Sequence, residues 1–282
     1  MRTGSYCVIA PTPPRKNLAP RKLVIQYFLL TRFNCARVKT GADPFRSERL
    51  DNLARPELNG DFGSSFVRNI LIEGSFPVIK PLMAFLGDRG DRPDLRAPIK
   101  NARAALVADI AHFINISHGR HPGVVDHAAH KIVDDAARRW LVEAIDGFAA
   151  ERAFLNALTV AAGPVRRHVG QDRVTSLITG QSKSFKMLAT SDRKGCPAGA
   201  ALAFVIDWLR TRDLLERVAL HLDMDPPKST LPSVETCGAL AANLSQNDGY
   251  RRAMGFGAEQ LLGQQRGLWQ LIAARHAEMM AG

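Results

Sequence analysis

The amino-acid sequence predicts an all-α fold: an antiparallel bundle of six or seven helices behind an irregular, basic N-terminal leader. Three observations carry that prediction. From Ile99 almost to the C-terminus, apolar residues recur at intervals of three and four, the period of a helix with one buried face. No stretch alternates apolar and polar residues between hairpin turn signals. Gly, Pro, Ser and Asp gather where the helical pattern breaks, as in HGRHPG, SDRKGCPAG and DMDPPKSTLPS.

Composition narrows the function classes. With 282 residues, 46% hydrophobic and 23% charged, the chain suits one or two domains and can bury a sizeable core. The net charge of +11 is local: residues 1–42 hold eight Lys or Arg and no acidic residue, whereas residues 97–282 hold 22 basic and 18 acidic. An evenly basic body would argue for nucleic acid. A basic leader supports only weak nucleic-acid or membrane-surface binding through residues 1–95. Cys7, Cys35, Cys196 and Cys237 are scattered and form no CxxC, which excludes a zinc knuckle or a disulfide framework and fits reduced thiols in a cytoplasmic protein.

Residues 1–22 contain four prolines and predict disorder. Leu23–Leu30, LVIQYFLL, is too short for a bilayer, which takes about 20 residues, and no small-residue cleavage site follows it as in a secretory signal. Translation from an upstream start, with Met83 as an internal start, is the simplest origin for such a leader. Residues 41–98 are dense in Gly, Pro and mixed charge, and their one apolar run, Phe66–Phe85, is cut by Pro77 and Pro81. They read as linker holding a short helix or strand. The expected division is a leader over 1–96 and a helical domain over 97–282, with a chain starting near Asp94 expected to stay folded.

The helices follow in order. The first carries Leu106, Val107, Ile110, Phe113 and Ile114 inward and stops near Ser117, before Gly119 and Pro122. The second starts around Pro122, where proline suits a first turn, and buries Val125, Ala129, Ile132, Ala136, Trp140, Ala144 and Phe148. Its pattern runs on to Gly163-Pro164. A third spans Gln171 to Thr190, with Val174, Leu177, Ile178, Phe185 and Leu188 inward. Pro197 opens a strongly apolar helix to Leu222, Ser233 caps Val234–Leu244, and the last runs from Asp248 to about Met280. Gly255, Gly257, Gly263 and Gly267 on that last helix would admit a close neighbour.

Chemistry concentrates in one stretch. Five of the eight histidines, His112, His118, His121, His127 and His130, lie within nineteen residues. If the two helices around GRHPG are antiparallel neighbours, His112 comes level with His127 and His130. Asp109 shares a face with His112, and Asp134 with His130. Imidazoles with a carboxylate would suit Zn, Mn or non-haem Fe, which makes Asp109, His112, His121, His127 and His130 the candidate metal ligands and a divalent metal the candidate cofactor. Acid–base work is the second possibility, with His118, His121, Asp126, Glu151 and Asp207 as candidate catalytic residues. Against both, Asp126, His127, His130, Lys131, Asp134, Asp135, Arg138 and Arg139 form a continuous hydrophilic side, and neither HExxH nor Glu-x-x-His occurs. Asp207 within ALAFVIDWLR and Glu151 within FAAERAFLNAL point inward among apolar neighbours and need partners, for which Arg210, Arg193 or a histidine could serve Asp207.

The strings HGRHPGVVDHAAH, AAGP, MLATSDRKGCPAGAA and FGAEQLLGQQRGLW resemble those of a small bacterial all-helical family, over roughly residues 105–275. The family has no assigned activity, so the resemblance implies no catalytic residue and only marks the body as the unit of interest. Two readings follow from the residues. The first is a non-enzymatic bundle protein with a polar pocket for a small ligand, or a surface for a partner. The second is a metal-dependent bundle enzyme built on the histidine stretch. They part on whether three or more of these side chains converge on one cavity.

Overall fold

The computed structural model describes residues 62–87, 97–164 and 171–281. Expectations for residues 1–61, the proline-rich start, the LVIQYFLL segment and binding through the basic leader among them, lie outside the described residues. The chain divides into units 1–46 and 47–282, and every described residue belongs to the second.

Nine helices and no strand occur among the described residues: α1 Phe62–Glu73, α2 Phe76–Leu86, α3 Ala97–His118, α4 Val124–Ala129, α5 Asp135–Ala162, α6 Gln171–Ala189, α7 Cys196–His221, α8 Val234–Leu244 and α9 Asp248–Ala281. The fold is all-α, and seven of these helices follow residue 96. The axis of the assembly is α7, which packs against each of the other eight. It buries 21 of its 26 residues, so its polar side chains must find partners inside the protein. Its longest contact is with α9. There a Cβ on Gly257 would stand 2.2 Å from the Cys196 carbonyl oxygen, and one on Gly199 would stand 1.9 Å from that of Met254. Two glycines, one on each helix, therefore let the backbones touch. Gly255 faces open space, a Cβ on Gly263 would meet only Arg266 Nη2 at 4.0 Å, and one on Gly267 would meet Gln181 Nε2 of α6 at 3.2 Å.

Three local readings are corrected. The segment expected to be linker holding one short helix or strand forms two helices, α1 and α2, with Phe66, Val67, Ile70 and Leu71 of α1 and Ile79, Leu82, Met83 and Leu86 of α2 all buried. The prolines misled because Pro77 sits in the first turn of α2, where the missing N–H has no helical partner to lose. Pro81 lies within the helix and forgoes one bond. A start at Met83 would fall inside α2, and a chain starting near Asp94 would lack eight core side chains. No single described helix is long and apolar enough to cross a membrane; α1 and α2, bent by 50°, reach that composition only as a pair.

The helix expected from Pro122 to Phe148 is two helices. Asp134 takes an extended conformation (φ −72°, ψ 127°) and accepts a hydrogen bond from the Ala136 N–H at 2.8 Å, starting α5 afresh. At the restart Ala137 is buried in place of Ala136, which is exposed, while Trp140, Ala144 and Phe148 are buried as expected and Leu141 joins them. On α6, Ile178, Phe185 and Ala189 are buried whereas Leu177 is exposed. The remaining ends fall as expected, including Ser233, whose hydroxyl accepts from the Thr236 N–H at 3.2 Å to cap α8.

Candidate functional site

The last turn of α3, the turn after it and helices α4 to α7 line a cavity of about 250 Å³ that opens to solvent. Its apolar wall is Phe148 of α5, Phe185 of α6, Phe204 of α7 and Val124 and Val125 of α4. Phe148 and Phe204 stack at 4.7 Å, and the His118 ring stands 5.1 Å from Phe185, 5.0 Å from Phe204 and 5.5 Å, edge on, from Trp208. Arg120, Arg152, Lys183 and Lys186 also line it, with His127. Arg120, Lys183 and Lys186 are exposed and Arg152 nearly buried. Four cations and no carboxylate border an aromatic floor.

The adjacent carboxylate is already engaged. Asp126 Oδ2 accepts from the Gly123 N–H at 2.7 Å and from Arg152 Nη1 at 3.0 Å, while His121 Nε2 lies 3.5 Å from its Oδ1. It locks the turn after α3 onto α5. His121 itself is two-thirds exposed, and its peptide bond to Pro122 is cis.

His118 is buried, and its Nε2 donates to Gln265 Oε1 of α9 at 3.1 Å. Burial pushes its pKa down to about 4, against a smaller upward pull from that bond. The ring is therefore neutral near pH 7. His127 is also held below its usual value, by burial first and then by Lys186.

The candidate metal ligands are not brought together. His112 bonds the Gly163 carbonyl oxygen at 2.7 Å, at the far end of α5. Asp109 accepts from Arg275 Nε of α9 at 2.6 Å, both groups buried. His130 is exposed after α4, because the break at 130–134 removes the long facing helix that would have aligned it with His112. Among the described residues no three His, Cys, Asp or Glu form a group fit to hold a metal.

The two inward carboxylates of the sequence pattern lie in separate networks. Glu151 receives Arg212 Nη1 at 2.7 Å on both oxygens, Trp208 Nε1 at 3.1 Å and the Ser229 hydroxyl at 2.9 Å. Arg212 also donates to the Pro227 carbonyl and lies over the Phe154 ring. Asp207 accepts from both the backbone N–H and the hydroxyl of Ser75, each at 2.6 Å, at the elbow between α1 and α2. Burial pushes its carboxyl up to about 6, while Ser75, Arg266 and Arg210 pull the other way. Arg266 donates to the Glu73 carbonyl, and Arg210 covers the Phe76 ring at 4.4 Å, so three α7 and α9 side chains grip one elbow.

Sequence reasoning missed Gln265, Arg152 and Ser75. Gln265 lies among Gln264, Arg266 and other polar residues of α9, and nothing in the helical period sets it apart from them. Ser75 carried no signal once its segment read as linker. Both described cysteines are buried free thiols. Cys237, beside Trp140 Nε1 at 3.4 Å, is pushed up to about 12 by burial and is inert.

A family described as one of unknown function, DUF6975, matches residues 91–279. No curated protein and no solved structure matches the chain.

Proposed function

We propose, for a chain that belongs to the DUF6975 family, that it is a binding protein for a small organic anion, held in the cavity between α3 and α7. The observation that carries this reading is the lining: Arg120, Arg152, Lys183 and Lys186 around an aromatic floor, with the neighbouring Asp126 committed to Arg152 and the Gly123 N–H. Such a wall buries an apolar body and meets a negative head with cations, the usual division of labour in a ligand pocket. The rim cations are exposed, so they steer and orient more than they hold, and binding weakens with salt.

The test is calorimetric titration of the full chain with benzoate, hexanoate and inorganic phosphate at low salt. At least one organic anion binds saturably, more tightly than phosphate, and the double variant Lys183→Glu/Lys186→Glu binds it at least tenfold more weakly. Both positions are exposed, so the variant keeps its fold. No binding by any organic anion, or equal binding by the variant, overturns the reading.

A further inference from the structure

We infer that the ligand is a phenolic carboxylate: one aromatic ring with a hydroxyl at its buried end and a short acidic arm toward the rim. This rests on the organic-anion reading above and adds which anion the cavity selects. Size limits it first. At about 250 Å³ the cavity falls just below the range of about 300–1,000 Å³ typical of drug-sized sites. That volume matches one ring with a short arm.

The floor then favours an aromatic ring over a saturated one. Phe148, Phe185, Phe204 and His118 all line the cavity, and their rings pack into one cluster, so a guest there meets a continuous aromatic wall. Aromatic pairing beyond simple burial corresponds to a preference of about 2- to 10-fold.

The third observation sets the polarity. Because the Gln265 amide oxygen accepts from His118 Nε2, the neutral ring carries its hydrogen there and Nδ1 is left as an acceptor. An acceptor inside an aromatic wall suits a ligand hydroxyl and repels a carboxylate. The carboxylate therefore points the other way, to Arg120, Lys183 and Lys186. Hydroxyl inward and acid outward is the one orientation that satisfies both ends.

The experiment titrates the full chain with 4-hydroxyphenylacetate, phenylacetate, cyclohexylacetate and hexanoate, in the wild type and in His118→Phe/Gln265→Leu, which removes acceptor and partner together. In the wild type, 4-hydroxyphenylacetate binds about 3- to 10-fold more tightly than phenylacetate, and phenylacetate more tightly than cyclohexylacetate. In the double variant the hydroxyl advantage, read as the ratio of the 4-hydroxyphenylacetate and phenylacetate affinities, falls to about one, whatever the change in affinity for phenylacetate itself. Should that variant not fold, the ¹⁵N shift of His118 Nδ1 in the wild type decides: it moves with 4-hydroxyphenylacetate and not with phenylacetate. A wild type without a hydroxyl advantage, or an advantage that survives in the double variant, overturns the assignment. Hexanoate binding as tightly as the aromatic acids sinks the phenolic class while the anion site stands. If no anion binds, both fall.

Discussion

Asp207 and His118 are two buried ionisable groups at opposite duties, and burial acts on them in opposite directions. It pushes the acid up to about 6 and the base down to about 4, favouring the neutral form of each. Asp207 is sealed under the α1–α2 elbow by two short bonds from Ser75. His118 has one bond, to Gln265, and a ring that still lines a cavity. A polar group closed on every side serves the fold, whereas one left with an open edge can serve a ligand. The two meet through α7, where Asp207 faces the elbow and its neighbour Trp208 packs on His118 and donates to Glu151.

The largest expected effect breaks the elbow altogether. A chain starting at Asp94 loses Phe66, Val67, Ile70, Leu71, Ile79, Leu82, Met83 and Leu86 from the core. At about 1.5–3 kcal/mol per buried side chain, the loss exceeds about 10 kcal/mol, comparable with the whole stability of a domain. Circular dichroism melting of that chain shows no cooperative transition; a cooperative one would return α1 and α2 to the status of an appendage.

Next comes the bridge between the two ends. Arg212→Ala leaves Glu151 buried without its charge partner and destabilises the protein by about 3–5 kcal/mol in urea unfolding. The less severe Glu151→Gln should cost clearly less, since the amide keeps a carbonyl for Trp208.

The pH dependence sharpens the comparison most directly. Asp207 binds its proton more tightly folded than unfolded, so its contribution is complete below its ordinary value of 3.8 and is lost as pH rises through about 6. His118 binds its proton less tightly folded, so its contribution is complete above 6.5 and is lost as pH falls through about 4. Each swing is on the order of 3 kcal/mol, and the two largely cancel between pH 4 and 6. Stability of wild type minus Asp207→Asn therefore falls across that window, and wild type minus His118→Asn rises. Parallel slopes for the two variants would refute the assignment of opposite shifts.

The smallest effect tests the elbow's tightness. A Cβ at Gly74 would lie 2.4 Å from Asp207 Oδ1 and 2.6 Å from the Ile70 carbonyl oxygen, so Gly74→Ala lowers stability by about 1–3 kcal/mol. Gly180→Ala, where a Cβ meets nothing within 4 Å, is the matched control and should be neutral or slightly stabilising on an exposed helix face.

What the sequence determined by itself is the part governed by local rules. Period, caps and breakers give the all-α class, the ends of α6 and α8, the inward stripe of α3 and the burial of Asp207 and Glu151, because each depends on residues within a turn or two. Tertiary structure decided the rest. Whether Asp134 starts a new helix or continues an old one depends on how α4 seats against α6 and α7, and that choice scattered the histidines. Ser75 is 132 residues from Asp207 and Gln265 is 147 from His118, separations at which no sequence period operates. The cavity belongs to the same class: its cations come from α5, α6 and the turn after α3, and only packing around α7 brings them to one mouth.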